Sequence, residues 1–594
     1  MNSAPARRLR DPLTAAALFV ATAAFTLWQN ASVAALWDLS YLLDSSYRFR
    51  LGQMPYRDFP FVHPPLHYLL HAAIIRIFGL VYYPHIVCAA LEAGLATVLT
   101  WRILLNLIRV PRDHGAPGEV IVGTVSTVRP DRNSAPHQAL RVGPAWTLAT
   151  LLALPLIFLG IYGVYPHPIY DSDTILTVLV AVYLLQRAGE SLPRNFIAGL
   201  ACVLPLFVKQ NIGLPFLAIT LLSVAAVAIA RRLQHFPIAP QLCLLAGAAT
   251  TLAASLLTLH FTAGLHNYLY WTITFAAQRR LPGLSLLLDT YRQSALLWTI
   301  PAALAALILL RRQSPGAPSI SGILRRWLAL LLLAAPFLWT IISLALTSDA
   351  DDRADQLLSL GPHLLLLAAV LALWNLRTLR TNPTLAPLLP AILLATIEGT
   401  FLSQQFWGST YAVWPLLMIL IAAMLPHIPA LARPLAAVIA ATFLLCGSLY
   451  ATSHERLSYI HLDGPETRAT LPRLRGLTTP GPWIPRFEEL IRFTNTEIPE
   501  DDGILLLPGE VPFYFATDRT PQFPVLLFDP ATNPYTPQQV LDLARARNIR
   551  WLIVTRNLQI TTIAEPDLPE VILTLQQDFV PYRTLTNYDI YRRK

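Results

Sequence analysis

The chain has 594 residues, 54% of them hydrophobic and 13% charged, with a mean hydropathy of +0.49. These values exclude a soluble globular chain and indicate a polytopic membrane protein with room for one extra domain. The formal charge of +9 does not mark a nucleic-acid partner, because the arginines sit in short clusters between apolar segments and form no single basic face.

The first apolar segment, 12–36, is too long for a signal peptide and lacks a small-residue cleavage site, so Arg7, Arg8 and Arg10 read as the cytoplasmic flank of a retained anchor. Further spans are predicted over 84–108, 144–162, 173–187, 195–208, 212–230, 239–259, 292–310, 327–347, 361–375, 385–403, 411–426 and 434–450, thirteen in all. Between the first two spans, the run Leu66 to Leu80 is short and interrupted by His67, His71 and Arg76, so it reads as an amphipathic surface helix. That choice keeps Arg109, Arg112, Arg187, Arg231, Arg311, Arg325, Arg377 and Arg433 on the inner side; a crossing at 66–80 would invert the bias downstream. Residues 109–143 are then a cytoplasmic loop, and 37–83, 163–172, 209–211, 260–291, 348–360 and 404–410 are outer loops.

Beyond residue 450 the texture changes to Pro-rich connectors, charged residues and short strand-like runs at Gly503-Ile-Leu-Leu-Leu and Trp551-Leu-Ile-Val. Between them, Thr536 to Asn548 reads as a helix opening with Thr-Pro and carrying Val540, Leu541 and Ala544 on one face. The predicted fold is therefore an α-helical polytopic membrane protein over 1–450, with about thirteen transmembrane helices, followed by a small external α/β domain over 451–594. No Gly-rich phosphate loop follows a strand, so the second part carries no nucleotide role. Cys88, Cys202, Cys243 and Cys446 all fall in apolar segments without paired spacing, which supports neither a disulfide framework nor a thiolate metal site.

Residues 37 to 67 crowd Asp38, Asp44, Asp58, Arg57 and His63 between two apolar segments. Ionisable groups beside a bilayer are costly to desolvate and point to chemistry, with a hydrated loop as the alternative. A second outer loop, Tyr165-Pro-His-Pro-Ile-Tyr-Asp-Ser-Asp-Thr, places His167, Asp171 and Asp173 at the mouth of a helix, where Asp173 is either functional or a first-turn carboxylate. Lys209 is one of two lysines against forty-two arginines. Snorkelling makes no demand for lysine over arginine, whereas a compact ammonium suits a phosphate oxygen approached at one point.

An outward acidic residue after the first span, a Gly52-x-x-Pro-Tyr-Arg-Asp-Phe run ending in His63-Pro-Pro, and an acid opening a later helix resemble the GT-C membrane glycosyltransferases. Within them the similarity is to the branch holding the protein O-mannosyltransferases and the aminoarabinose transferase of lipid A. The resemblance covers roughly 12–450 and is strongest over 37–80 and 165–215. It implies transfer of a sugar from a polyprenyl-phosphate donor to a lipid, glycan or protein acceptor, on the periplasmic side of a bacterial-type inner membrane. By position it makes Asp38 the candidate general base, Asp173 the acid of the second loop, His63 a donor-phosphate residue and Lys209 the lysine of the equivalent helix junction. Where the family often shows Asp-Glu this chain has Asp38-Leu39, so a role needing both acids does not carry over.

Such a transfer needs a carboxylate to take the acceptor proton and cations to stabilise the departing phosphate. Asp38 suits the first task; Arg57, His63 and Lys209 suit the second. Alternatively Asp38 and Asp173 share a hard divalent cation such as magnesium or manganese. Asp58, His167 and Asp171 are secondary candidates, Asp58 pairing with Arg57 or Arg50 in the plain reading. Asp44, six residues past Asp38, falls on the opposite helical face and is expected to be solvated. The acidic run Asp349, Asp351, Asp352 and Asp355 and the aromatic residues Trp271, Phe406, Trp407 and Tyr411 are read as hydrated loop and interfacial belt. A transporter or flippase of lipid-linked sugars would bury polar groups at the midplane, often with a two-fold repeat, and a non-catalytic scaffold would leave the acids dispensable.

Overall fold

The structure, a computed structural model, describes residues 4–109, 142–163, 165–280, 288–311, 320–346, 360–402, 412–453, 457–529, 532–561 and 568–594. Most of the loop 109–143, the acidic run at Asp349 to Asp355, and Phe406, Trp407 and Tyr411 lie outside the described residues. Each of the thirteen expected apolar segments coincides with a helix. The early ones are α1 (Ala4–Asn30), α4 (Tyr83–Arg109), α5 (Val142–Ala153), α6 (Tyr170–Ala188), α7 (Leu192–Val208), α8 (Gln210–Leu233) and α9 (Ala239–Thr262). Six more follow: Leu296–Arg311, Ile320–Leu346, Leu360–Leu376, Leu389–Thr400, Trp414–Met424 and Ala432–Ser453. Among the described residues, seven of these helices are long and apolar enough to cross a bilayer. Large apolar side chains such as Phe261, Leu297 and Ile320 point outward at 80% exposure or more, as a hydrocarbon surround requires.

Close backbone packing organises the bundle. Helices α7 and α9 cross at Gly199 and Gly247, where an added Cβ would collide with the carbonyls of Leu244 and Phe196. Helices α1 and α4 pack antiparallel, with Asp11 near the start of α1 paired to Arg109 (3.3 Å) and Arg102 (3.9 Å) near the end of α4. The chain therefore enters and leaves residues 31–82 at one end of the bundle. Helices α2 (Leu36–Arg50) and α3 (Leu66–Phe78) both lie there. The starts of α6 and α8 reach the same end, since His67 contacts Asp173 and Gln210 donates to the Val62 carbonyl.

After Ser453 the chain builds a two-stranded antiparallel ribbon, β1 (Glu466–Arg468) with β2 (Thr478–Pro480), and a four-stranded sheet. The sheet runs in the order β3 (Gly503–Leu507), β4 (Ile549–Thr555), β6 (Tyr588–Arg593), β5 (Phe579–Thr584), with β3 and β4 parallel and the other pairs antiparallel. The expected Thr-Pro helix spans Pro537–Ala546 and opens with a capping box, in which Thr536 and Gln539 satisfy one another's backbone N–H groups. Helix α2 joins the two parts. Its Leu36, Leu39, Leu43 and Tyr47 share one core with Ile484, Phe487, Leu490 and Phe513 of the C-terminal part.

This docking corrects the expectation for Asp44, which is only 2% exposed. Its carboxylate accepts backbone N–H groups of Phe515 (2.7 Å) and Tyr514 (3.3 Å). The helical wheel correctly set Asp44 away from Asp38, but that face is covered by protein, not water. Burial pushes the Asp44 carboxyl up to about 7, against the opposing pull of those N–H groups. One turn on, Arg48 is buried and donates to the carbonyls of Phe523 and Pro524.

Candidate functional site

Asp38 stands in the first turn of α2, whose start is fixed from far along the chain. The Gln559 side chain accepts the Leu36 N–H at 2.8 Å and donates to the Ala34 carbonyl at 3.0 Å. Asp38 Oδ2 accepts the Tyr459 hydroxyl at 2.9 Å and lies 3.3 Å from His167 Nε2. Its Oδ1 has no hydrogen-bond partner among the described residues. The side chain is 24% exposed, so it is sheltered without being sealed.

Asp38 opens on a cavity of about 100 Å³ whose walls include Tyr41, His63, His67, Tyr170 and Asp529. His63 stacks on Tyr170 at 4.3 Å between ring centroids and meets Tyr41 edge-on at 5.5 Å. On the Tyr170 ring also rests Lys209 Nζ, 4.8 Å from the centroid. Lys209 is the residue at which α7 ends and α8 begins. Its extended backbone (φ −150°, ψ 116°) breaks the helix and aims the side chain at the start of α6. There it forms an ion pair with Asp171, both side chains being nearly inaccessible. Removing one member of such a pair strands the other charge.

Asp173, also in the first turn of α6, is engaged on both oxygens. His67 Nδ1 lies 2.6 Å from Oδ2, and the Tyr162 hydroxyl lies 2.9 Å from Oδ1 and 2.8 Å from Glu92 Oε2. His71 Nδ1 meets His85 Nδ1 at 2.7 Å. Ligand atoms of His67, His71 and Asp173 lie within 4.8 Å of one another, and all three residues are buried. Two imidazoles and a carboxylate fit a borderline divalent ion such as zinc better than a hard one. Asp38 is not a member of this group.

The sequence candidates thus separate. Asp38 and His63 line the cavity; Asp173 and Lys209 stand one layer behind it, touching His67 and Tyr170; His167 and Asp171 each pair with another candidate. Arg57 and Asp58 stay apart, paired with each other at 2.8 Å on the surface, with the Arg57 guanidinium also 3.4 Å from the Thr262 carbonyl. Arg57 holds the Asp58 carboxyl below the usual range, and Asp58 braces its turn by accepting the Met54 N–H at 2.7 Å. Sequence reasoning missed His67, His71, His85, Glu92, Tyr459, Gln559 and Asp529. For two groups a signal existed: His67 and His71 share a helical face at i and i+4, and Glu92 is a lone acid inside an apolar segment. No local pattern marks the other four.

Fold and site together define an integral membrane protein of the polytopic helical class, with a polar cavity at one end of the bundle walled partly by a C-terminal α/β part. No family model and no curated protein matches the sequence. Among solved structures the chain is similar to ArnT from Cupriavidus metallidurans bound to undecaprenyl phosphate, at 12% identity and a TM-score of 0.44, over 99% of this chain and 98% of that one. It is likewise similar to ArnT from Cupriavidus metallidurans in the apo state, at 13% identity and a TM-score of 0.43, over 97% of each.

Proposed function

We propose that the chain is a GT-C type membrane glycosyltransferase that moves a sugar from a polyprenyl-phosphate donor to an acceptor hydroxyl on the periplasmic face of a bacterial-type inner membrane. The observation that carries this reading is the Asp38 carboxylate, held through Oδ2 and lining the cavity beside His63. In the proposed step the acceptor oxygen attacks the anomeric carbon while its proton passes to Asp38 Oδ1. The bond from that carbon to the phosphate oxygen breaks, and the phosphate departs with the electron pair. His63 is the cavity-lining cation donor for that phosphate, and the Lys209 ammonium adds positive charge behind Tyr170.

The same reading gives single displacement with inversion and no covalent sugar on the protein; a glycosyl adduct trapped on Asp38 or Asp173 would overturn it. Asp173 holds His67 in place. A divalent ion held by His67, His71 and Asp173 would supply positive charge beside the donor site.

The test is sugar transfer from polyprenyl-phosphate donors by purified protein in lipid vesicles. Asp38→Asn is expected to lower kcat by on the order of 10²- to 10⁴-fold while leaving the protein folded. Full transfer by the variant sinks the base assignment, and no transfer by the wild type with any donor favours transport or scaffolding.

A further inference from the structure

Tyr459 belongs to neither of the loops that supply the acids; it follows the last apolar helix, more than 400 positions from Asp38. Its hydroxyl nevertheless donates to Asp38 Oδ2 at 2.9 Å, on the same oxygen that His167 Nε2 approaches at 3.3 Å. A carboxylate turns easily about its last side-chain bond, so the hydroxyl that holds one oxygen decides where the other points. Here the other is Oδ1, which has no partner among the described residues.

The phenol is itself anchored. The Tyr459 carbonyl accepts both the N–H (2.8 Å) and the Oγ1–H (2.9 Å) of Thr561, and the next residue, Ile460, bridges to Ile560. The Tyr459 ring lies 5.8 Å from that of Tyr165, in the loop that carries His167. It also packs on a small core formed by Val33, Ala35, Leu457 and Ile460, which includes the residue preceding α2. Both ends of the hydrogen bond are therefore fixed to the same framework, since Gln559 ties down the start of α2.

We propose that Tyr459 is a positioning residue for the transfer reaction, orienting Asp38 so that Oδ1 is presented to the acceptor hydroxyl. This rests on the reading of Asp38 as general base. Loss of the phenol oxygen leaves the base in the cavity but lets it rotate, which costs the transition state its geometry and leaves donor binding alone.

The experiment combines Tyr459→Phe kinetics with infrared spectra of protein carrying ¹³C-carboxyl aspartate, the Asp38 band being the one that Asp38→Asn abolishes. Expected are a fall in kcat of roughly ten- to a hundredfold, a donor KM within about twofold of wild type, an unchanged melting temperature and a displaced Asp38 band. An unmoved band, a wild-type kcat, or a loss of kcat accompanied by an equal rise in KM or a lowered melting temperature each overturns the proposal. If the wild type transfers no sugar, the glycosyltransferase reading fails and the positioning role with it. The band then reports only whether the contact exists, so the two failures are told apart.

Discussion

The Lys209–Asp171 pair shows what a single side chain contributes at this site. Both groups are withdrawn from water, and each helps to stabilise the charge of the other. Lys209→Ala is expected to destabilise the protein by about 3–5 kcal/mol, because a buried carboxylate loses its main partner. The double variant Lys209→Ala with Asp171→Ala should recover much of that stability without recovering transfer. Thermal melting and transfer assays on the two variants check this, and a double variant no more stable than the single one would show that the pair does not act as a unit. The sequence pointed to Lys209 through its rarity, a signal of residue choice that needs no fold. It said nothing of Asp171 as its partner, because which of two first-turn acids faces α8 depends on how α6 is rotated. For Asp173, too, the acid was legible and its partners His67 and Tyr162 were not, since both arrive from other segments.

At the scale of elements, α2 is the informative case. Its amphipathic period and its place beside the membrane could be read from residues 36–50, and so could the separation of Asp38 from Asp44. What covers the second face could not, because the covering residues, Tyr514 and Phe515, lie some 470 positions away. The contact has a pH signature. Burial pushes both Asp44 and Glu510, whose carboxylate accepts the backbone N–H groups of Gln559 and Ile560, up to about 7, whereas their ordinary values are 3.8 and 4.5. Raised acids bind protons more tightly in the folded state, so their contribution is fully present below about pH 4 and is lost as the pH rises through about 7. Melting of the C-terminal part should therefore shift to lower temperature between pH 4 and pH 7 and level off above. Asp44→Asn with Glu510→Gln should flatten that slope; an undiminished slope would place the titration elsewhere.

For the whole molecule, the helices and the change of texture near residue 450 were visible because hydropathy and strand-like runs are local properties. The joint between the two parts was not, because it is made of long-range pairs that leave no periodic trace. Gln559 is the clearest of these, reaching Ala34, Leu36 and Thr479 from one fully buried amide. Gln559→Ala leaves a buried N–H and a carbonyl without partners and is expected to cost about 1–3 kcal/mol. It should also speed proteolytic cleavage between the parts and lower transfer. Cleavage at the wild-type rate would show that the joint is held elsewhere.

The shared core around α2 bears on how such a chain can be recombined. Leu36, Leu39, Leu43 and Tyr47 are the bundle's residues by sequence position but pack in a core with Ile484, Phe487, Leu490 and Phe513. A cut near residue 450 therefore separates one hydrophobic core into two incomplete halves. A chimera that exchanges only the segment after 450 with a relative would inherit a foreign surface for α2 and would lose the hydroxyl that orients Asp38. The heritable module is discontinuous: it is the C-terminal part together with residues 31–86, and only an exchange that carries both should yield a working hybrid.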